Sequence, residues 1–165
     1  MIYDFDFKNL PFFSDFSEEQ INRLVDSGFI LNLKKGEILI REGEIERKFF
    51  IVMSGRFQIV KHKGKKTYTL AFLSVGEPIG EMTVFDGAPR SATVYSTEES
   101  QVMCFTLEKI IGQESFKDIE AKIYSHVGSK IAERLKYTNE VTVEAFKDRI
   151  AIGGFAVNII TMTTV

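Results

Sequence analysis

Apolar residues change their spacing twice along this chain, so that a strand-like stretch is flanked by two helical ones. Ser17-Glu18-Glu19-Gln20 has the form of a capping box, in which the serine caps a helix and the glutamine reaches back to it. Ile21, Leu24 and Val25 follow at helical spacing, and Gly28 ends the helix. From Phe29 to Thr106, short β-branched and aromatic runs are broken by Gly36, Gly43, Gly55, Gly64, Gly76, Gly80 and Gly87. Recurrent short strands with turn signals predict an antiparallel sandwich or barrel, with strands near 29–33, 37–41, 48–54, 56–63, 67–74, 91–96 and 101–106. Lys61-His62-Lys63-Gly64-Lys65-Lys66 falls between two of them and is expected to be a solvated hairpin tip.

After Leu107 the period is helical again, with Ile119, Ile123, Val127, Ile131 and Leu135 recurring every fourth residue. Half of this stripe can lie on the barrel and the remainder suits a partner helix, so a homodimer through the long C-terminal helix is expected. Arg149 is the last charge, and Ile150 to Val165 is uncharged and β-branched. For that tail an added strand, a partner-binding segment and a vector-derived remnant all stay open.

A length of 165 residues fits one domain with a real core, and 44% hydrophobic with 27% charged residues excludes a disordered or fibrous chain. Lys and Arg number 21 against 23 Asp and Glu, which argues against direct nucleic-acid binding. One cysteine, Cys104, excludes an internal disulfide framework and fits a reducing compartment. The N-terminus lacks the pattern of a secretory signal, and no uncharged run reaches the ~20 residues of a membrane span. A cytoplasmic protein is the expectation.

The most informative stretch is Ile79-Gly80-Glu81-Met82-Thr83-Val84-Phe85-Asp86-Gly87-Ala88-Pro89-Arg90-Ser91-Ala92-Thr93-Val94. Gly80 lets the backbone approach a ligand closely, and the residues after it can form a short helical turn suited to an anion. Asp86-Gly87 makes a turn that brings Arg90 back toward the same place. A guanidinium offers a fork of donors to a phosphate, while a nearby carboxylate accepts from a sugar hydroxyl. One anion and one sugar hydroxyl in a small pocket point to a nucleotide. A metalloenzyme of cupin type would want clustered ligands, whereas the two histidines, His62 and His126, fall on a hairpin and on the long helix. No metal site and no enzyme activity are expected. Cys104 sits in an apolar run with neither histidine near it in sequence and reads as a buried small hydrophobe. The fifteen phenylalanines read as core.

From about Leu10 to Asn139 the chain resembles the cyclic nucleotide-binding domain of the catabolite activator, the regulatory subunit of cAMP-dependent protein kinase and cyclic-nucleotide-gated channels. The resemblance rests on Leu33-x-x-Gly36-Glu37-x-Leu39, Gly43-Glu44, Phe49-Phe50-Ile51-x-x-x-Gly55, Gly76-Glu77-x-x-Gly80-Glu81 and Pro89-Arg90-Ser91-Ala92-Thr93-Val94. The last two form that family's phosphate-binding cassette. The resemblance implies a mainly β fold with flanking helices: an antiparallel β-barrel (double-stranded β-helix or jelly roll) with an N-terminal helix, a short cassette helix and a long C-terminal helix. It implies a domain over 8–139, with the barrel at 29–106 and C-terminal helices at 107–139, followed by an extension over 140–165 of unknown role.

It also implies roles. Glu81 would accept from the ribose 2′-hydroxyl, with Gly80 and Met82 lending backbone. Arg90 would pair with the cyclic phosphate, helped by Ser91 and the Ala92 N–H. Leu70 and Ala71 would line the base pocket, and Thr138 and Asn139 would read the adenine edge, one of them across a dimer. Ser91 after the arginine tilts the effector toward cAMP over cGMP. The expected function is a sensor that signals through its C-terminal helix to an effector protein that the sequence does not identify. The alternatives are a ligand-free interaction protein of the same fold, or the sensor fragment of a longer regulator. No basic recognition helix follows Asn139, so direct DNA binding is not expected.

Overall fold

The computed structural model describes residues 5–153, which divide into a β-rich unit ending at Gly128 and a helical unit from Ser129. The sequence motifs lie almost wholly in the first. Its strands are β1 (Phe29–Leu33), β2 (Ile38–Ile40), β3 (Lys48–Ser54), β4 (Phe57–Lys63), β5 (Lys66–Leu73), β6 (Pro78–Ile79), β7 (Thr93–Ser96) and β8 (Ser100–Thr106). They form two antiparallel four-stranded sheets, ordered β1-β8-β3-β6 and β2-β7-β4-β5. Leu33, Phe50, Val52, Ile79, Val102 and Cys104 from one sheet meet Ile40, Phe57, Leu73 and Val94 from the other in a single buried cluster. Burying these side chains between two sheets is what the alternating pattern demands.

The two-residue β6 is absent from the sequence expectation, because a strand this short carries no periodicity. The expected hairpin is present: Lys61 and His62 belong to the β4 ladder opposite Tyr68 and Thr67, within the strand expected near 56–63, and the tip itself is Gly64-Lys65. Between Ile59 and Val60 the β4–β5 register shifts: Ile59 pairs with Ala71 and Val60 with Thr69, leaving Leu70 as the extra residue of a bulge.

Helix α1 (Glu18–Ser27) starts on the expected capping box: Gln20 N–H donates to Ser17 Oγ at 3.2 Å, and Ser17 N–H to Gln20 Oε1 at 3.0 Å. Gly28 ends it for a packing reason. Its φ of −100° is open to any residue, but a Cβ there would stand 2.7 Å from the Cys104 carbonyl oxygen on β8. Before α1, two 3-10 turns, Phe7–Asn9 and Pro11–Phe13, bury Phe7, Phe12, Phe13 and Phe16 in an aromatic cluster that reaches Phe49 and His126. Not every phenylalanine is core: Phe29, Phe72 and Phe85 are exposed.

Helix α2 (Thr83–Asp86) is a single turn ended by Gly87 in the left-handed conformation, φ +59°. Helix α3 spans Lys117–Gly153. Asp118 ties its start to α1 by accepting from Gln20 Nε2 at 2.8 Å and from Arg23 Nη2 at 2.6 Å. The apolar stripe divides: Ile119, Ile123 and Val127 are fully buried, Ile131 is half-buried, and Leu135 and Tyr137 are 59% and 67% exposed. Residues 154–165, which hold most of the uncharged tail, lie outside the described residues. No helix among the described residues is long and apolar enough to cross a membrane.

Candidate functional site

Between β6 and β7 the chain turns sharply at Gly80 (φ +71°), winds through α2 and returns to Arg90. The Arg90 guanidinium, 7% exposed, donates from Nη1 to Gly80 O at 2.9 Å and from Nη2 to Lys48 O at 2.5 Å. A Cβ on residue 80 would fall 2.4 Å from Nη1 and 2.9 Å from Ile40 Cδ1, so only glycine leaves room for this guanidinium. Arg90 is fixed by its backbone as well. Its N–H donates to Glu44 O at 2.8 Å and its carbonyl accepts from Gly43 N–H at 2.9 Å, which stitches the loop after β2 to the cassette.

Arg90 Nε–H is buried and has no hydrogen-bond partner. A buried charged donor left in this state is costly, and it marks the place where an anionic acceptor would be bound best. Burial lowers the guanidinium pKa from its ordinary value, opposed by the charges of Glu46, Glu81 and Glu44, yet the group stays cationic. Glu81 is 3% exposed and close enough to act electrostatically on Arg90. Glu81 O and Met82 O accept from the N–H groups of Val84 and Phe85, forming the helical turn expected after Gly80.

The other expected residues distribute as follows. Met82 and Ser91 are exposed and Ala92 is buried, all three on the same cassette as Gly80, Glu81 and Arg90. Ser91 O accepts from Lys61 Nζ at 2.5 Å, and Lys61 also pairs with Glu42 Oε1 at 2.8 Å, so β4 braces the cassette's outgoing end. Leu70 and Ala71 sit on β5 at the bulge, Leu70 57% exposed and Ala71 half-buried. Thr138 and Asn139 belong to the helical unit and are exposed, with Thr138 Oγ1 donating back to Arg134 O at 2.9 Å.

Two residues around Arg90, Glu46 and Lys48, escaped the sequence reading. Glu46 Oε1 pairs with Lys48 Nζ at 2.5 Å, its Oε2 lies 3.9 Å from Arg90 Nη2, and its carbonyl oxygen accepts from Thr83 Oγ1 at 3.3 Å. The hydrogen bond that Lys48 Nζ donates to the Glu46 carboxylate raises the Lys48 pKa above its ordinary value. The run Glu44-Ile45-Glu46-Arg47-Lys48 resembles any solvated charged loop, so no sequence signal singled these side chains out.

A concavity of about 480 Å³ lies elsewhere on the unit, lined by Asn32, Lys34, Glu37, Ser54, Glu99 and Gln101 among others. Two hydrogen bonds join groups of its lining: Gln101 Nε2 donates to Asn32 Oδ1 at 2.7 Å and Lys34 N–H to Glu37 Oε2 at 2.8 Å. It has no counterpart of the Arg90 Nε–H. His126 pairs with Asp15 at 2.6 Å and His62 Nδ1 lies 3.1 Å from Thr67 Oγ1. Among the described residues no group of three His, Cys, Asp or Glu side chains is arranged to hold a metal ion.

The family model of the cyclic nucleotide-binding domain matches residues 30–112, and this chain belongs to that family. Its relatives include a cAMP-dependent protein kinase regulatory subunit of Yarrowia lipolytica, 29% identical over 126 residues that make up 76% of this chain and 32% of the relative. They also include a cGMP-dependent protein kinase of Plasmodium berghei, 25% identical over 87% of this chain and 16% of the relative. The chain thus spans a third or less of the length of these two proteins. Among solved structures, the Thermus thermophilus catabolite activator protein superposes with a TM-score of 0.70 at 22% identity, over 82% of this chain and 63% of that one. The fold is that of these regulatory domains, and the family is a ligand-binding one.

Proposed function

We propose that this chain binds a cyclic nucleotide at the Gly80–Ala92 cassette, cAMP in preference to cGMP, and acts as a regulatory sensor with no catalytic role. The carrying observation is the Arg90 guanidinium, buried, held over Gly80 and retaining an unpartnered Nε–H. A cyclic phosphate is a compact anion whose exocyclic oxygens suit that fork. Glu81 accepts from the ribose 2′-hydroxyl, Gly80 and Met82 lend backbone, and Ser91 and the Ala92 N–H complete the phosphate site. Leu70 and Ala71 line the base, and the resemblance adds Thr138 and Asn139 at the adenine edge. The preference for cAMP rests on Ser91, and the relatives include kinases named for each nucleotide.

Signalling runs from the cassette to α3. In support, Phe85 of α2 rests against Tyr124 of α3 at 5.4 Å between ring centres, and its Cζ lies 3.9 Å from where a Cβ on Gly128 would be. A cassette that closes on phosphate would displace that contact. The exposed Leu135 and Tyr137 favour a homodimer through the later turns of α3, in a cytoplasmic setting with a separate effector protein.

Melting temperature followed during titration with cAMP and cGMP tests the reading, with Arg90→Ala alongside. Ligand at a hundred times its Kd adds about 2.7 kcal/mol, or some 5–10 °C at about 2–4 °C per kcal/mol. A shift with one nucleotide that disappears in Arg90→Ala supports it. No shift with either nucleotide refutes it and makes the domain a protein-contact module.

A further inference from the structure

The phosphate subsite read above contains a carboxylate of its own. Glu46 bridges the two cations nearest the cassette, 2.5 Å from Lys48 Nζ and 3.9 Å from Arg90 Nη2. Of the carboxylates around Arg90, it exerts the strongest electrostatic pull on the guanidinium. The Glu46 side chain is 37% exposed, so it has room to move, while its backbone stays tethered through Thr83 Oγ1. Lys48 is tied to Arg90 a second way, because its own carbonyl oxygen accepts from Nη2. An anion bound by the Arg90 fork would therefore arrive within a few ångströms of a resident negative charge and of an ammonium held by that charge.

Resting on the cyclic-nucleotide reading, we infer that Glu46 is a built-in counter-ion of the phosphate subsite, which the ligand's phosphate displaces, releasing Lys48 to act as a second cation toward that phosphate. The guanidinium is kept neutralised and in place when no ligand is bound, and affinity is set lower than Arg90 alone would set it. Two like charges at this separation repel, and the repulsion is screened by salt. Removing the Glu46 charge thus strengthens nucleotide binding, and the gain needs Lys48.

The test is a calorimetric titration of cAMP and cGMP into the unaltered chain, Glu46→Gln, Glu46→Ala, Lys48→Met and the Glu46→Gln/Lys48→Met double variant, at low and high salt. The expected result is tightening of about 3- to 10-fold in both Glu46 variants, larger at low salt. Lys48→Met is expected to bind more weakly than the unaltered chain, and the double variant to lose most of the gain. Equal or weaker binding by both Glu46 variants overturns the inference while leaving the cyclic-nucleotide reading intact. A gain that survives in full in the double variant overturns the role of Lys48. If the unaltered chain binds neither nucleotide, both readings fall together. A structural role for Glu46 alone predicts weaker binding and a lower melting temperature, the opposite sign.

Discussion

Arg90 Nη1 donates to the carbonyl oxygen of Gly80 at 2.9 Å, so the two ends of the cassette are joined through one hydrogen bond that passes over a residue without a side chain. The geometry explains why a glycine and an arginine ten positions apart act as a single unit. The carbonyl orients the guanidinium, and the missing Cβ gives it somewhere to lie.

Gly80→Ala is expected to abolish nucleotide binding and lower the melting temperature. The positive φ costs an alanine about 1–2 kcal/mol, and the new Cβ collides with Arg90 Nη1 and Ile40 Cδ1. Thermal denaturation and a nucleotide titration of the variant check it, and wild-type affinity would remove the close approach as a requirement.

Glu81→Gln is expected to weaken binding of a ribonucleotide by about tenfold, the worth of one charge-assisted hydrogen bond. Its effect on a 2′-deoxy analogue should be small. Comparing the two ligands in the same variant isolates the contact with the hydroxyl, and equal losses for both would contradict that role for Glu81.

Cys104 is expected to be inert toward alkylation in the native protein at neutral and mildly alkaline pH. Burial pushes its thiol from an ordinary 9.0 up to about 11, and its side chain is fully enclosed on β8. Linkage gives the sign: a raised folded-state value stabilises below the unfolded value, and that contribution is lost as pH rises from about 9 through 11. Iodoacetamide labelling with and without denaturant measures the first effect. Melting temperature of Cys104→Ser or Cys104→Ala against the unaltered chain across that pH range measures the second.

Leu135→Glu is expected to turn the proposed homodimer into a monomer by light scattering with little change in melting temperature of the β-rich unit. Leu135 is 59% exposed in the single chain, whereas Ile119, Ile123 and Val127 of the same stripe are fully buried. A dimer that survives the substitution would move the interface away from this part of α3.

Local chemistry was enough for several elements. The α1 start follows from Ser17 and Gln20, which meet through hydrogen bonds spanning three residues. The cassette was legible because Gly80, Gly87 and Arg90 are tied by a turn short enough to be written in consecutive residues. Strand positions followed from alternation wherever the run was long, as in β3 and β8. The two-residue β6 and the bulge at Leu70 did not, since both depend on which strand lies alongside.

What the sequence determined by itself is therefore the short-range part: helix caps, strand runs and the pairing of a glycine turn with a returning arginine. Only the tertiary structure decided that Glu46 and Lys48, more than forty residues before Arg90, share its surroundings, and that Lys61 on β4 reaches Ser91 O. It also decided why residue 28 is glycine, through a carbonyl oxygen contributed by β8. The physical reason is common to all of these. Charge and close contact depend on distance in space, and in an antiparallel sandwich the neighbours of a residue come from strands far away in the chain.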